Sequence, residues 1–135
     1  MNSLQKTRRS RIWIALALVV GFIGLYLYFY QVNPFPDGIA DLVTSGMVVL
    51  AALTSAVVSA LVARRYGKGT PHRLIWMHFS LALWGWAIGE AIWTYEYVTG
   101  GQEAAELSSA DVLWVACYFL FIVSLITPLL MSGAT

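Results

Sequence analysis

Four long apolar stretches, joined by short polar segments, dominate the pattern of this chain. They cover about residues 12–31, 39–63, 74–97 and 110–131. Each reaches the length of about 20 residues that a helix needs to cross a hydrocarbon core of about 30 Å. Lipid cannot hydrogen-bond the backbone, so such segments must be helical. The pattern predicts an all-α fold: an integral membrane four-helix bundle, made by a single transmembrane domain over residues 1–135.

The segments between the stretches carry turn and capping signals. Residues 33–38 and 66–71 are rich in proline and glycine, and Gly100-Gly101 follows the third stretch. Ser108 precedes Asp111 by three residues, which is typical of a capping box at the start of a helix. A basic region precedes the first stretch, as in a signal peptide. The apolar run is long and no small-x-small cleavage site follows it, so we interpret it as an uncleaved span.

The charged residues are segregated by sign. All cations lie before the first stretch or between the second and third: Lys6, Arg8, Arg9, Arg11, Arg64, Arg65, Lys68 and Arg73. All acids lie toward the opposite ends of the stretches: Asp37, Asp41, Glu90, Glu96, Glu103, Glu106 and Asp111. Cytoplasmic loops carry the excess of Lys and Arg. The pattern therefore predicts that both termini are cytoplasmic.

Composition excludes several other classes of protein. The chain is 59% hydrophobic and 11% charged, against about 45–50% and about 25% in a soluble domain. The same figures exclude intrinsic disorder. A net charge of +1 leaves no basic excess for nucleic acid. One cysteine excludes an internal disulfide and a zinc site built on several thiolates. Because the sequence contains no nucleophile–base or phosphate-binding motif, we expect a protein that is not an enzyme.

Small residues predict where the helices approach each other. In the second stretch, small residues recur every four positions in two series: Ala51, Ser55, Ser59 and Ala52, Ala56, Ala60. In the third stretch, Gly85 and Gly89 form a G-x-x-x-G motif. Such spacing lets membrane helices pack closely. The third helix is predicted to be contacted on two faces, as the central helix of the bundle.

The candidate ligand or proton site is centred on Glu90. It is the one acid placed well inside a stretch, and an ionisable group at that depth is a functional candidate by default. No cation can reach it, so we expect a neutral carboxyl or a polar cavity, with a hydrogen bond to Tyr118. The other candidates are Trp86, Trp93, Glu96 and Asp111, which would form an acidic, aromatic mouth. The alternatives are a structural carboxyl and aromatic side chains that only anchor and pack.

His78 and Cys117 are the remaining candidates for chemistry. We interpret His78 as a packed or interfacial histidine; the alternative is a ligand of haem or chlorophyll. Two histidines six positions apart do not share a helix face as a metal pair would, so no metal site is predicted. Cys117 is expected to be a small core residue. The sequence requires no cofactor.

The residues around the third connection resemble a known sensory region. They are Gly89-Glu90-x-x-Trp93-x-x-Glu96 and then Ser108-Ser109-Ala110-Asp111-x-x-Trp114-x-x-x-Tyr118. The pattern, over about residues 80–125, resembles the multi-span membrane sensory regions of bacterial and archaeal diguanylate cyclases and histidine kinases. Leu107 stands where that family usually has proline. The resemblance implies an input module in the inner membrane of a prokaryote, whether detached, part of a longer protein, or reused for another purpose.

The functional prediction is therefore a non-enzymatic sensory or signal-transmitting membrane module. One alternative is an accessory subunit of a larger respiratory or photosynthetic membrane complex. Another is a small transporter or channel subunit that uses Glu90. The expected partners are membrane lipid and either other membrane subunits or further copies of the chain, and not nucleic acid.

Overall fold

Four helices make up the part of the chain that is described. A computed structural model describes residues 3–36, 38–100 and 108–132. The helices are α1 (Ser3–Val32), α2 (Ile39–Ala63), α3 (Pro71–Gly100) and α4 (Ser109–Ser132). The all-α prediction is confirmed for these residues. The predicted bounds of α2 match those observed, whereas α3 begins and ends three residues beyond its predicted stretch.

Three of these helices are long and apolar enough to cross a membrane. They are α1 from Ile12 onward, all of α2, and α4 as far as Met131. Although it has 30 residues, α3 does not reach the same apolarity, since it carries histidine, threonine, glycine and two glutamates. The helical lengths and compositions are those of a membrane protein.

The chain divides into two compact units, Met1–Thr44 and Ser45–Thr135. In the first unit, no residue is buried in the most apolar part of α1, within Ile12–Val32. The helix is followed by Asn33, whose φ of +44° is a left-handed conformation that asparagine tolerates well. Phe35 folds back so that its ring centroid lies 5.3 Å from that of Phe29. Asp37, in the predicted turn, lies outside the described residues.

In the second unit, α3 is contacted on two opposite faces. The Ser80 hydroxyl donates a hydrogen bond of 2.8 Å to the backbone carbonyl of Ala56 on α2. Gly85 and Gly89 lie against side chains of α4. Ser80 and Gly89 lie half a turn apart around α3, since each residue rotates the helix by about 100°. The prediction that the third helix has two packing faces is confirmed. Because α2 and α4 contact these faces, fewer side chains of α3 need to be apolar.

The buried stripe of α2 combines the two predicted series of small residues. Ala52, Ala56, Ser59 and Ala63 are all buried, and Ala56 is fully so. Ser55, by contrast, is exposed. The prediction of an Ala51–Ser55–Ser59 face is therefore wrong. The stripe instead uses steps of four, three and four residues, because a period of 3.6 residues does not sustain a strict repeat of four along one side of a straight helix.

A tight turn joins α2 to α3, as the glycine and proline signals predict. Gly69 has a φ of +81°, a conformation that glycine adopts without steric cost. The Thr70 hydroxyl donates a 2.8 Å hydrogen bond to the Gly67 carbonyl. Pro71 then opens α3, where its missing N–H group costs nothing. The turn brings the end of α2 beside the start of α3.

Candidate functional site at the α3–α4 junction

The first turn of α4 is held by the predicted capping box. The Ser108 backbone N–H donates to Asp111 Oδ2 at 2.9 Å. Reciprocally, the Ala110 N–H donates to Ser108 Oγ at 3.0 Å. These bonds satisfy donors that the first turn of a helix would otherwise leave unpaired.

Glu96, in the last turns of α3, is bonded to the same end of α4. The Ser108 hydroxyl donates a short hydrogen bond to Glu96 Oε2, and the Ser109 hydroxyl donates to Oε1 at 3.1 Å. We call Glu96, Ser108 and Ser109 the Glu96 clamp. Hydrogen bonds to a carboxylate are stronger than bonds between neutral groups. The clamp therefore fixes the end of α3 to the start of α4, and the structure brings the predicted residues Glu96 and Asp111 together around Ser108.

An aromatic cluster lies below the clamp. The ring centroid of Trp86 lies 5.9 Å from that of Trp114 and 5.3 Å from that of Tyr118, which it meets edge to face. A Cβ atom built on Gly89 would lie 2.7 Å from Trp114 Nε1. The indole thus packs directly on the α3 backbone, at a position where only glycine leaves room.

Glu90 lies close to α2. Its carboxyl group is near the hydroxyl of Ser45, which is buried. Among the described residues, Glu90 and Tyr118 form no hydrogen bond, so that prediction is wrong. The reason is geometric: Glu90 lies about 100° around α3 from Gly89, and Trp86 is the α3 side chain that meets Tyr118.

The other residues that the sequence singled out lie apart from one another on α3 and α4. Trp93 stacks on Tyr97 of its own helix, with 5.3 Å between ring centroids. Cys117 is buried, as predicted, and faces Gly85. His78 lies in a separate region near the α2–α3 turn. Within the described ranges, no three histidine, cysteine or acidic side chains are grouped to hold a metal ion. Glu103 and Glu106 lie outside the described residues.

Two contacts of the site were missed from the sequence. They are the approach of Ser45 to Glu90 and the hydrogen bonds from Ser108 and Ser109 to Glu96. The spacing around Ser108 shows its role as a cap but gives no information on a partner 12 residues earlier. Serine is also too common among small membrane residues for Ser45 to stand out. The observed arrangement can hold a carboxylate between two hydroxyls at one end of a helix pair.

The chain was compared with known protein families, curated proteins and solved structures, and none of them matches it. The resemblance to membrane sensory regions therefore stays a prediction carried by the motif residues.

Proposed function

We propose that this chain is a non-enzymatic sensory or signal-transmitting module of a prokaryotic inner membrane, with four spans and both termini in the cytoplasm. The apolarity of α1, α2 and α4 supports insertion, and the contacts on both faces of α3 support its place among them. The segregation of cations and acids supports the orientation.

The observation that carries the signalling role is the Glu96 clamp. It is a polar junction at the end where the acids gather, and it joins two helices that pack through glycine contacts farther along. The Gly85–Cys117 contact lies about three helical turns from Glu96 along α3. Tightly packed helices shift as rigid bodies and do not deform gradually. Breaking the hydrogen bonds of the clamp should therefore also change the packing of α3 against α4 at Gly85 and Cys117.

The native Cys117 thiol provides a direct test. It is the one cysteine of the chain and is 2% exposed, so the rate of its alkylation by a membrane-permeant maleimide reports separation of α3 and α4. We expect Glu96→Ala to raise that rate by about fivefold or more, the range of ordinary coupling between sites. The matched control is Thr99→Ala, because Thr99 lies on the same part of α3 and its hydroxyl donates to the Tyr95 carbonyl of its own helix. Equal rates in the two variants would contradict coupling between the clamp and the interface.

One observation favours a second candidate, an accessory subunit of a larger membrane complex. The Ile12–Val32 part of α1 carries large apolar side chains around its whole circumference, including Leu18, Val20 and Ile23. Such a surface suits lipid, but equally suits other membrane subunits. Native mass spectrometry of gently solubilised chain, together with its absorbance spectrum, separates the candidates. A stable stoichiometric complex with pigment or respiratory subunits would replace the signalling proposal.

A further inference from the structure

A cavity of about 490 Å³ lies between the end of α2 and the start of α3, beside the turn that joins them. Its lining changes in character along its length. Arg64 and Arg73 line it near the turn, whereas Met77, Leu81 and Trp84 line it farther along α3. The cavity is thus cationic at one end and apolar at the other.

Among the described residues, no acid lies near the two arginines to balance their charge. Asp41 lies in the first turn of α2, almost the whole length of that helix away from Arg64. On α3, the acid nearest to Arg73 is Glu90, which lies about 25 Å farther along the axis at about 1.5 Å per residue. Guanidinium groups offer several N–H donors in a geometry that matches phosphate oxygens. This end of the cavity therefore favours an anion.

His78 adds a polar group between the two ends. It lines the cavity about 7 Å along α3 from Arg73, at about 1.5 Å per residue. Its Nδ1 atom is buried and has no hydrogen-bond partner among the described residues. Because Nδ1 is buried, it does not face an occupant of the cavity, and His78 contributes the rest of its side chain to the wall.

We propose that the cavity binds one anionic phospholipid. Its phosphate lies between the two arginines, its glycerol backbone lies beside His78, and an acyl chain lies along Met77, Leu81 and Trp84. Basic pockets between membrane helices on the cytoplasmic side have the chemistry that recognises anionic headgroups. This inference rests on the proposed membrane placement but not on the signalling role, so it stands or fails separately from the clamp.

The test measures lipid binding to the purified full chain by native mass spectrometry. After delipidation, phosphatidylglycerol, phosphatidylcholine or inorganic phosphate is titrated onto the chain. We expect one phosphatidylglycerol to bind, with at least about tenfold preference over phosphatidylcholine, as two charge-assisted contacts imply. The variant Arg64→Gln/Arg73→Gln should lose that preference. The matched control, Arg65→Gln/Lys68→Gln, removes the same charge from exposed residues of the turn that do not line the cavity, and should change binding less than about twofold.

Three outcomes would overturn the proposal. The first is an equal loss in the two double variants, which would indicate non-specific attraction to positive charge. The second is equal binding of the two lipids. The third is displacement of the lipid by inorganic phosphate at matching concentrations, which would indicate a site for a free anion.

A variant at the apolar end covers the case in which the double arginine variant does not fold. Met77 is 48% exposed, so Met77→Gln leaves the buried packing unchanged. This substitution should weaken the binding of phosphatidylglycerol by about threefold or more, because the acyl chain loses an apolar contact. The binding of inorganic phosphate should be unchanged. Unaltered lipid binding in Met77→Gln would contradict the assigned position of the acyl chain.

Discussion

Replacing Gly85 with alanine tests the α3–α4 interface most sharply. The new Cβ atom would lie 2.5 Å from Cys117 Sγ and 3.9 Å from Leu113 Cδ1. The first distance is far below van der Waals contact, and the short, buried Cys117 side chain cannot swing away as a long one could. Overpacking of this kind costs about 1–3 kcal/mol. The higher helix propensity of alanine returns about 0.5–1 kcal/mol, so we expect Gly85→Ala to lower the free energy of unfolding by about 1 kcal/mol, the centre of the range that these two effects leave.

The assay is equilibrium unfolding in mixed micelles of dodecyl maltoside and SDS, followed by circular dichroism. Gly46→Ala is the matched control, since Gly46 is also helical but a Cβ atom there meets nothing within 4 Å. The double variant Gly85→Ala/Cys117→Ala removes the clashing sulfur, and should recover at least about half of the loss as a coupling energy. If Gly85→Ala unfolds like Gly46→Ala, or if the two substitutions are additive, the close approach inferred for Gly85 is wrong.

Three further predictions concern other parts of the chain. Ser80→Ala should lower the free energy of unfolding by about 0.5–1.5 kcal/mol, because it removes the 2.8 Å hydrogen bond to the Ala56 carbonyl. The control Ser55→Ala, at an exposed position, should have no measurable effect in the same assay. In a Cys117→Ala background, a cysteine at Gln102 should react with an impermeant maleimide from outside intact cells and a cysteine at Gly69 should not; the reverse labelling would refute the orientation. Glu90→Gln should fold with unchanged stability, since the amide keeps the shape of the side chain and an acceptor oxygen near the Ser45 hydroxyl. A loss of more than about 1 kcal/mol in unfolding assays would show that the carboxyl group is required.

Elements and faces that depend on local pattern could be predicted from the sequence. The bounds of α2 follow from where its apolar run meets proline, glycine and arginine. The capping box follows from Ser108 and Asp111, because a cap is a contact between residues three apart. The G-x-x-x-G motif identified a packing face because glycine is the one residue that permits such approach.

Contacts between helices could not be predicted, because spacing along one helix does not specify the partner helix. Glu90 was expected to meet Tyr118 at a similar depth on α4, but its position around α3 directs it to Ser45. The Glu96 clamp depends on the same missing information. The cavity near His78 was missed since its lining comes from two helices and only their relative arrangement creates it.

The central claim is that the Glu96 clamp sets the arrangement of α3 and α4 along their length. A distance measurement at the other end of the helix pair tests this claim most directly. Spin labels at Met77 and Val123, both exposed, are attached in a Cys117→Ala background, and the label distance is measured by pulsed electron resonance in lipid nanodiscs. We expect Glu96→Ala to shift or broaden the distance distribution while Thr99→Ala leaves it unchanged. Identical distributions in Glu96→Ala and in the parent, with both proteins fully helical, would contradict the claim that the clamp controls the helix pair.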